Sequence, residues 1–149
     1  QKNAECVSLN SSVDITNKEI LKATFFNIEN IGVVINCAAY TAVDKAEDDV
    51  ETAYQVNKTG VENLALLCKE VNVPLIHIST DFVFSGEKNS PYSEEDKPNP
   101  VSVYGKSKCD GEKILQEIWN KHIILRVSWV FGKQGEKLKG WQERSIVID

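Results

Sequence analysis

Tyr104-Gly105-Lys106-Ser107-Lys108 carries the sharpest chemical signal in the sequence. On a helix, residues four apart share a face, so a phenol and an ammonium would meet there. The lysine charge favours the phenolate and is expected to lower the tyrosine pKa toward working pH. A tyrosine tuned in this way can hand a proton to a carbonyl oxygen while hydride arrives at the carbon. Spacing alone is weak support, because a solvated helix face produces the same pattern by chance. Ser79-Thr80-Asp81 adds a second group. The Thr80 hydroxyl could donate to a substrate oxygen as negative charge develops on it, and the competing reading is a helix cap or turn.

Asn36-Cys37-Ala38-Ala39-Tyr40-Thr41 closes an apolar run with small residues. Such residues let a flat cofactor or its ribose approach the backbone, although close packing of helix on sheet explains them equally well. Asp44, Lys45 and Glu47 read as solvated or helix-capping charges. His77 and His122 have no second His or Cys nearby in sequence, so no metal site is expected. The four cysteines, Cys6, Cys37, Cys68 and Cys109, form no C-x-x-C pair and read as reduced thiols.

The elements that must position these groups follow an alternation of short apolar runs with segments of helical period, the pattern of a parallel α/β sheet. Strands are expected near Glu5 to Leu9, over Gly32 to Cys37, Val73 to Ser79 and His122 to Val127. Helices are expected over Asn17 to Phe26, Asp48 to Val71, and from Val101 or Ser102 to Asn120, the last with Ile114, Leu115 and Ile118 facing the core. Ser85 to Pro100 is rich in proline and charge and reads as a surface loop. A last apolar piece, Ile146 to Ile148, follows a polar stretch. Ligands of open parallel sheets bind beyond the carboxyl ends of the strands. That rule singles out Ala38 to Thr41, Ser79 to Asp81, and Ser128-Trp129.

The chain of 149 residues is 42% hydrophobic and 26% charged, the balance of one ordinary soluble domain. A net charge of −5 and a pI near 5.1 argue against nucleic acid as the main partner. The apolar runs are too short to span a bilayer, so a cytoplasmic location is the default expectation.

Taken in order, several blocks resemble the extended short-chain dehydrogenase/reductases, and among them the dTDP-4-dehydrorhamnose reductases. They are Val34 to Glu47, His77 to Phe84 with Gly86, Pro91-Tyr92 and Glu95-Asp96, then Pro98 to Lys108 with Gly111-Glu112, and Arg126 to Gly132. The resemblance implies a Rossmann-like, doubly wound parallel sheet and NADPH-dependent reduction of the 4-keto group of dTDP-4-dehydro-L-rhamnose. NADH in place of NADPH stays open, since Asn10-Ser11-Ser12 shows neither an acidic ribose partner nor an arginine for a 2′-phosphate. It further implies Tyr104 as proton donor, Lys108 on the cofactor ribose and Thr80 completing the triad. Asp14, Ile15, Ala38, Ala39, Tyr40, Thr41 and Ile78 would line the cofactor, with Asp81 and Trp129 on the sugar. A homodimer is compatible with the resemblance, which does not decide it.

The family opens with a strand and a glycine-rich turn that holds the cofactor pyrophosphate, and neither is present here. That strand is central in the doubly wound order, so the native polypeptide is expected to contain it. The sequence, which starts at Gln1 and holds no Met, is accordingly expected to be incomplete. Residues 1–132 read as the cofactor-binding domain without its opening unit, and 133–149 as the start of a substrate-binding region. Two other functions share much of the pattern: a non-catalytic NADP-binding module like the regulatory subunit of methionine adenosyltransferase, and a sugar-nucleotide epimerase or dehydratase.

Overall fold

The computed structural model describes residues 6–9, 13–128 and 146–148. Strands β1 (Val7–Leu9), β2 (Val34–Asn36), β3 (Leu75–Thr80), β4 (His122–Val127) and β5 (Ile146–Ile148) form one sheet in the order β1-β5-β2-β3-β4. The pairs β2–β3 and β3–β4 are parallel, as the α/β pattern predicts. β5 is antiparallel to both β1 and β2 and lies between them. The expected all-parallel sheet is thus corrected at this one place. An inner gap would leave two ladders of N–H and C=O groups unpaired, and a short β-branched segment can satisfy them in either direction.

Helix α1 (Lys18–Phe26) starts where Asn17 Oδ1 accepts from the amides of Glu19 and Ile20, each at 3.1 Å. The long helix expected from Asp48 to Val71 is interrupted. It consists of α2 (Val50–Tyr54), a π-helical segment (Gln55–Gly60) and α3 (Val61–Glu70). Its predicted apolar face is nonetheless the buried one: Ala53, Val56, Gly60, Val61, Leu64, Leu67 and Cys68 all face inward, and Val71 is half-buried.

Helix α4 (Val103–Ile118) begins under a cap, with Ser102 Oγ accepting from Gly105 N at 3.0 Å. Its core face departs from the expectation. Leu115 is fully buried, whereas Ile114 and Ile118 are only partly so. The deepest stripe is instead Tyr104, Ser107, Lys108, Gly111 and Glu112, which is largely polar. Polar side chains are buried at the cost of their hydration, so each must be accounted for by a partner. Gly105 and Gly111 set how closely this helix lies on its neighbours. A Cβ at Gly105 would collide with the carbonyl oxygen of Phe82, and one at Gly111 with that of Asn57.

Candidate active site

Parallel register places the site residues side by side. Asn36 on β2 lies opposite His77 on β3, and Ser79 and Thr80 on β3 lie opposite Arg126 and Val127 on β4. α4 packs against β3, and side chains of its polar stripe reach Ile78 and Ser79.

Lys108 is 1% exposed. Its Nζ donates to the carbonyl oxygen of Ile78 at 2.8 Å and lies 3.5 Å from His77 Nε2. Burial lowers its pKa to about 8, against the pull of Glu112 and Cys37, which favour the charged form. His77 is fully buried and pushed well below its ordinary range, by burial first and by Lys108 second, so it is neutral.

One turn back on α4, the Tyr104 ring is 8% exposed and meets Phe82 edge-on at 5.6 Å between centroids. Its phenol is raised above the ordinary tyrosine range by burial, with the nearby Thr80 hydroxyl working the other way and Asp81 adding to the rise. The Tyr104–Lys108 spacing by itself predicts a lowered value. Desolvation outweighs it, and the Lys108 ammonium is turned to Ile78 rather than spent on the phenol. Thr80 also takes the cap role weighed for it in the sequence, accepting from Phe82 N at 3.2 Å. The same hydroxyl donates to Asp81 Oδ1 at 3.2 Å.

A residue that sequence reading missed, Asn57, fixes the end of β2. From the π-helical segment its Oδ1 accepts from Tyr40 N at 2.8 Å, while Nδ2 donates to Tyr40 O at 3.1 Å and to Ser107 Oγ at 3.0 Å. The amide so holds the backbone after Ala38 and Ala39 against α4. π-helical turns recur at functional sites because they re-aim single side chains. The available signal was an Asn inside the apolar stripe of a helix, between Val56 and Gly60.

The remaining predicted positions divide. Ala38 is buried, Ala39 half-buried and Thr41 exposed, all beside the Asn57 clamp. Asp14 and Ile15 sit further along the same helix line, where Asn63 Nδ2 donates to the carbonyl oxygens of Ile15 and Thr16. The Ile15 side chain is 2% exposed and packs into the core, while Asp14 is exposed and accepts from Thr16 N at 2.9 Å. Asp81 borders a cleft of about 620 Å³ whose other walls include Phe84, Tyr92, Arg126 and Ser128. Trp129 lies outside the described residues. Among the described residues, no cluster of three or more His, Cys, Asp and Glu could hold a metal ion.

Residues 1–141 match the RmlD substrate binding domain family. The chain is 46% identical over 125 residues to the dTDP-4-dehydrorhamnose reductase of Aggregatibacter actinomycetemcomitans, covering 84% of this chain and 42% of that protein. Its fold is similar to the crystal structure of a dTDP-4-dehydrorhamnose reductase from Clostridium acetobutylicum, with a TM-score of 0.77 and 42% identity over 85% of this chain and 45% of that one. The Bacillus anthracis dTDP-4-dehydrorhamnose reductase in complex with NADP gives a TM-score of 0.77 and 41% identity over 83% and 44%. The chain spans about two fifths of the length of the curated relatives it matches.

Proposed function

The chain belongs to the RmlD substrate binding domain family, and from that premise we propose that its protein reduces the 4-keto group of dTDP-4-dehydro-L-rhamnose with NADPH. The product would be dTDP-L-rhamnose, a precursor of surface polysaccharide. The observation that carries this reading is a Lys108 buried to 1% with its Nζ on the Ile78 carbonyl of β3, one turn from a buried Tyr104 whose ring meets Phe82 just beyond the end of that strand. A solvated helix face would leave that ammonium in water.

The residues present fit half of a nicotinamide dinucleotide. The ends of β2 and β3 offer small Ala38 and Ala39, the Ile78 backbone and a dry lysine, which suits a ribose and a flat ring. The glycine-rich diphosphate cradle has no counterpart among the described residues. Residues 1–132 act as the cofactor-binding part in this reading and 133–149 open the substrate-binding part. When bound, the nicotinamide supplies the hydride.

Tyr104 donates its proton to the sugar keto oxygen. Its raised pKa keeps the phenol protonated before reaction, as a donor requires. The Thr80 hydroxyl steadies the same oxygen as charge grows on it. Lys108 holds the cofactor ribose, and Asp81 and Trp129 hold the sugar. No described helix is long and apolar enough to cross a membrane. The proposed reaction is placed in the cytoplasm, with a dTDP-sugar as the partner.

The test mixes the full-length protein with NADPH and the 4-keto sugar nucleotide and follows the nicotinamide absorbance. Loss of absorbance with formation of the 4-hydroxy sugar supports the reading. Cofactor binding without turnover would favour a non-catalytic module, and sugar isomerisation without net cofactor consumption would favour an epimerase.

A further inference from the structure

The polar stripe contains more than the proposed triad needs. Asn36 and His77 are both fully buried, and neither touches the cleft beside Asp81. They lie on neighbouring strands in register and join hands behind Lys108.

The direction of each hydrogen bond in this group is fixed from one end. Ala38 N donates to Asn36 Oδ1 at 2.9 Å, and a backbone amide can only donate. The other end of the Asn36 amide is therefore Nδ2, which faces His77 Nδ1 at 3.0 Å and donates to it. Nδ1 must be bare to accept. A neutral imidazole then carries its proton on Nε2, the nitrogen 3.5 Å from Lys108 Nζ. An N–H facing an ammonium is a clash of donors, whereas an N–H facing an amine meets a lone pair. Lys108 retains the Ile78 carbonyl as acceptor in both states.

We propose that Asn36 and His77 are positioning residues that form a buried relay of fixed polarity, favouring the uncharged amine of Lys108 and holding it against β3. The relay opposes other groups around the lysine. Glu112 on the same helix favours the ammonium, but it is already engaged by Arg126 from β4 and Ser79 from β3. Cys37, just beyond β2, acts in the same sense as Glu112. Tyr104 lies one turn back on α4 and is protonated. Burial brings Lys108 toward the balance point between charged and neutral forms, and the relay adds weight to the neutral side, where binding of an anionic or hydroxyl-bearing ligand can tip it. This last step rests on the reductase reading; the tautomer and the titration do not.

Two measurements on the full-length protein test the proposal. Nitrogen-15 NMR of the wild-type imidazole should find His77 neutral with its proton on Nε2, and a proton on Nδ1 would overturn the relay without any variant. Carbon-13 NMR of lysine labelled at Cε, assigned with Lys108→Met, follows the Lys108 titration directly. Asn36→Asp reverses the relay: the carboxylate accepts from both Ala38 N and His77 Nδ1–H, so a bare Nε2 faces the ammonium. The Lys108 midpoint should then rise by about one pH unit or more. His77→Gln, whose amide oxygen can accept from the ammonium, should move it in the same direction. Unchanged midpoints in a folded variant would sink the proposal. Turnover with an Nδ1 proton would sink the relay alone, and an Nε2 proton in a protein without turnover would sink the reductase reading alone.

Discussion

Arg126 grips Glu112 with a two-pronged ion pair, Nη2 to Oε2 at 2.7 Å and Nε to Oε1 at 3.0 Å, and ties the outer strand β4 to helix α4. Ser79 donates its hydroxyl to the same carboxylate, so strand β3 joins the cluster. Glu112 is 2% exposed. Removing one partner of a buried pair strands the other charge, at a cost of roughly 3–5 kcal/mol. Glu112→Ala is therefore expected to lose about 3 kcal/mol, at the low end because Arg126 keeps some contact with water. Glu112→Gln retains shape and an acceptor and should lose less. Urea denaturation of the two variants checks the order, and equal losses would contradict the ion-pair account.

Gly105 and Gly111 offer a change of sign. In an exposed helix interior, Gly→Ala stabilises by up to about 1 kcal/mol. Here the new methyl would meet the carbonyl oxygen of Phe82 or Asn57, and backbone cannot turn aside as a side chain can. Both Gly→Ala variants are expected to destabilise by about 1–3 kcal/mol, the range of overpacked cores. A melting temperature that rises on substitution would show that the helix can lift away freely.

The fold class was legible because its signals are periodic and apolar. The α2–α3 stripe from Ala53 to Cys68 is buried as read, and β3 and β4 fall within a residue or two of their expected bounds. What periodicity hides is polar burial. A search for apolar faces finds Leu115 on α4 and favours Ile114 and Ile118, yet the inner face is set by Lys108 and Glu112, whose partners come from β3 and β4. Those partners depend on strand register, which a single sequence does not state. The same holds for Asn57, whose contacts to Tyr40 and Ser107 join residues 17 and 50 positions away. The place of β5 was also hidden, since three apolar residues carry no direction.

Asn57→Ala should separate structure from ligand affinity. It removes the clamp on both backbone groups of Tyr40 and the bond to Ser107. Under the reductase reading, the β2 end then loses its fixed approach to the cofactor. Nicotinamide cofactor affinity is expected to fall on the order of tenfold, equivalent to about 1.4 kcal/mol. Fluorescence titration with NADPH measures this, and unchanged affinity would make Asn57 a purely structural residue.

Two buried bases give stability the same slope with pH. His77 is depressed below its ordinary value, so the unfolded chain takes up a proton first as pH falls below about 6.5, and stability is lost there. Lys108 is depressed from 10.5 to about 8, so its burial penalty is complete below about 8 and is relieved as pH rises toward 10.5. Cys68, raised from 9.0 to about 12 by burial, opposes that gain above pH 9, where the unfolded thiol ionises first. The clean window for Lys108 is thus between about pH 8 and 9. Denaturation of wild type against Lys108→Met across that window should show a rise in the first and none in the second.

The alkaline limb of the reductase reaction discriminates between Tyr104 and Lys108. The profile of kcat/KM reports groups of the free enzyme. In that state the Tyr104 phenol is held above its ordinary pKa by burial, and Lys108 is brought down to about 8. A fall in kcat/KM centred near pH 8 would therefore report Lys108 losing its charge, not Tyr104 losing its proton. Lys108→Arg keeps the cation at all working pH values, so any activity it retains should lack that limb. Tyr104→Phe removes the proton donor and is expected to cut kcat by about 10²–10⁴-fold while leaving the melting temperature close to wild type. A limb near pH 8 that persists in Lys108→Arg would return the titration to Tyr104 and would contradict a phenol held above its ordinary range by burial.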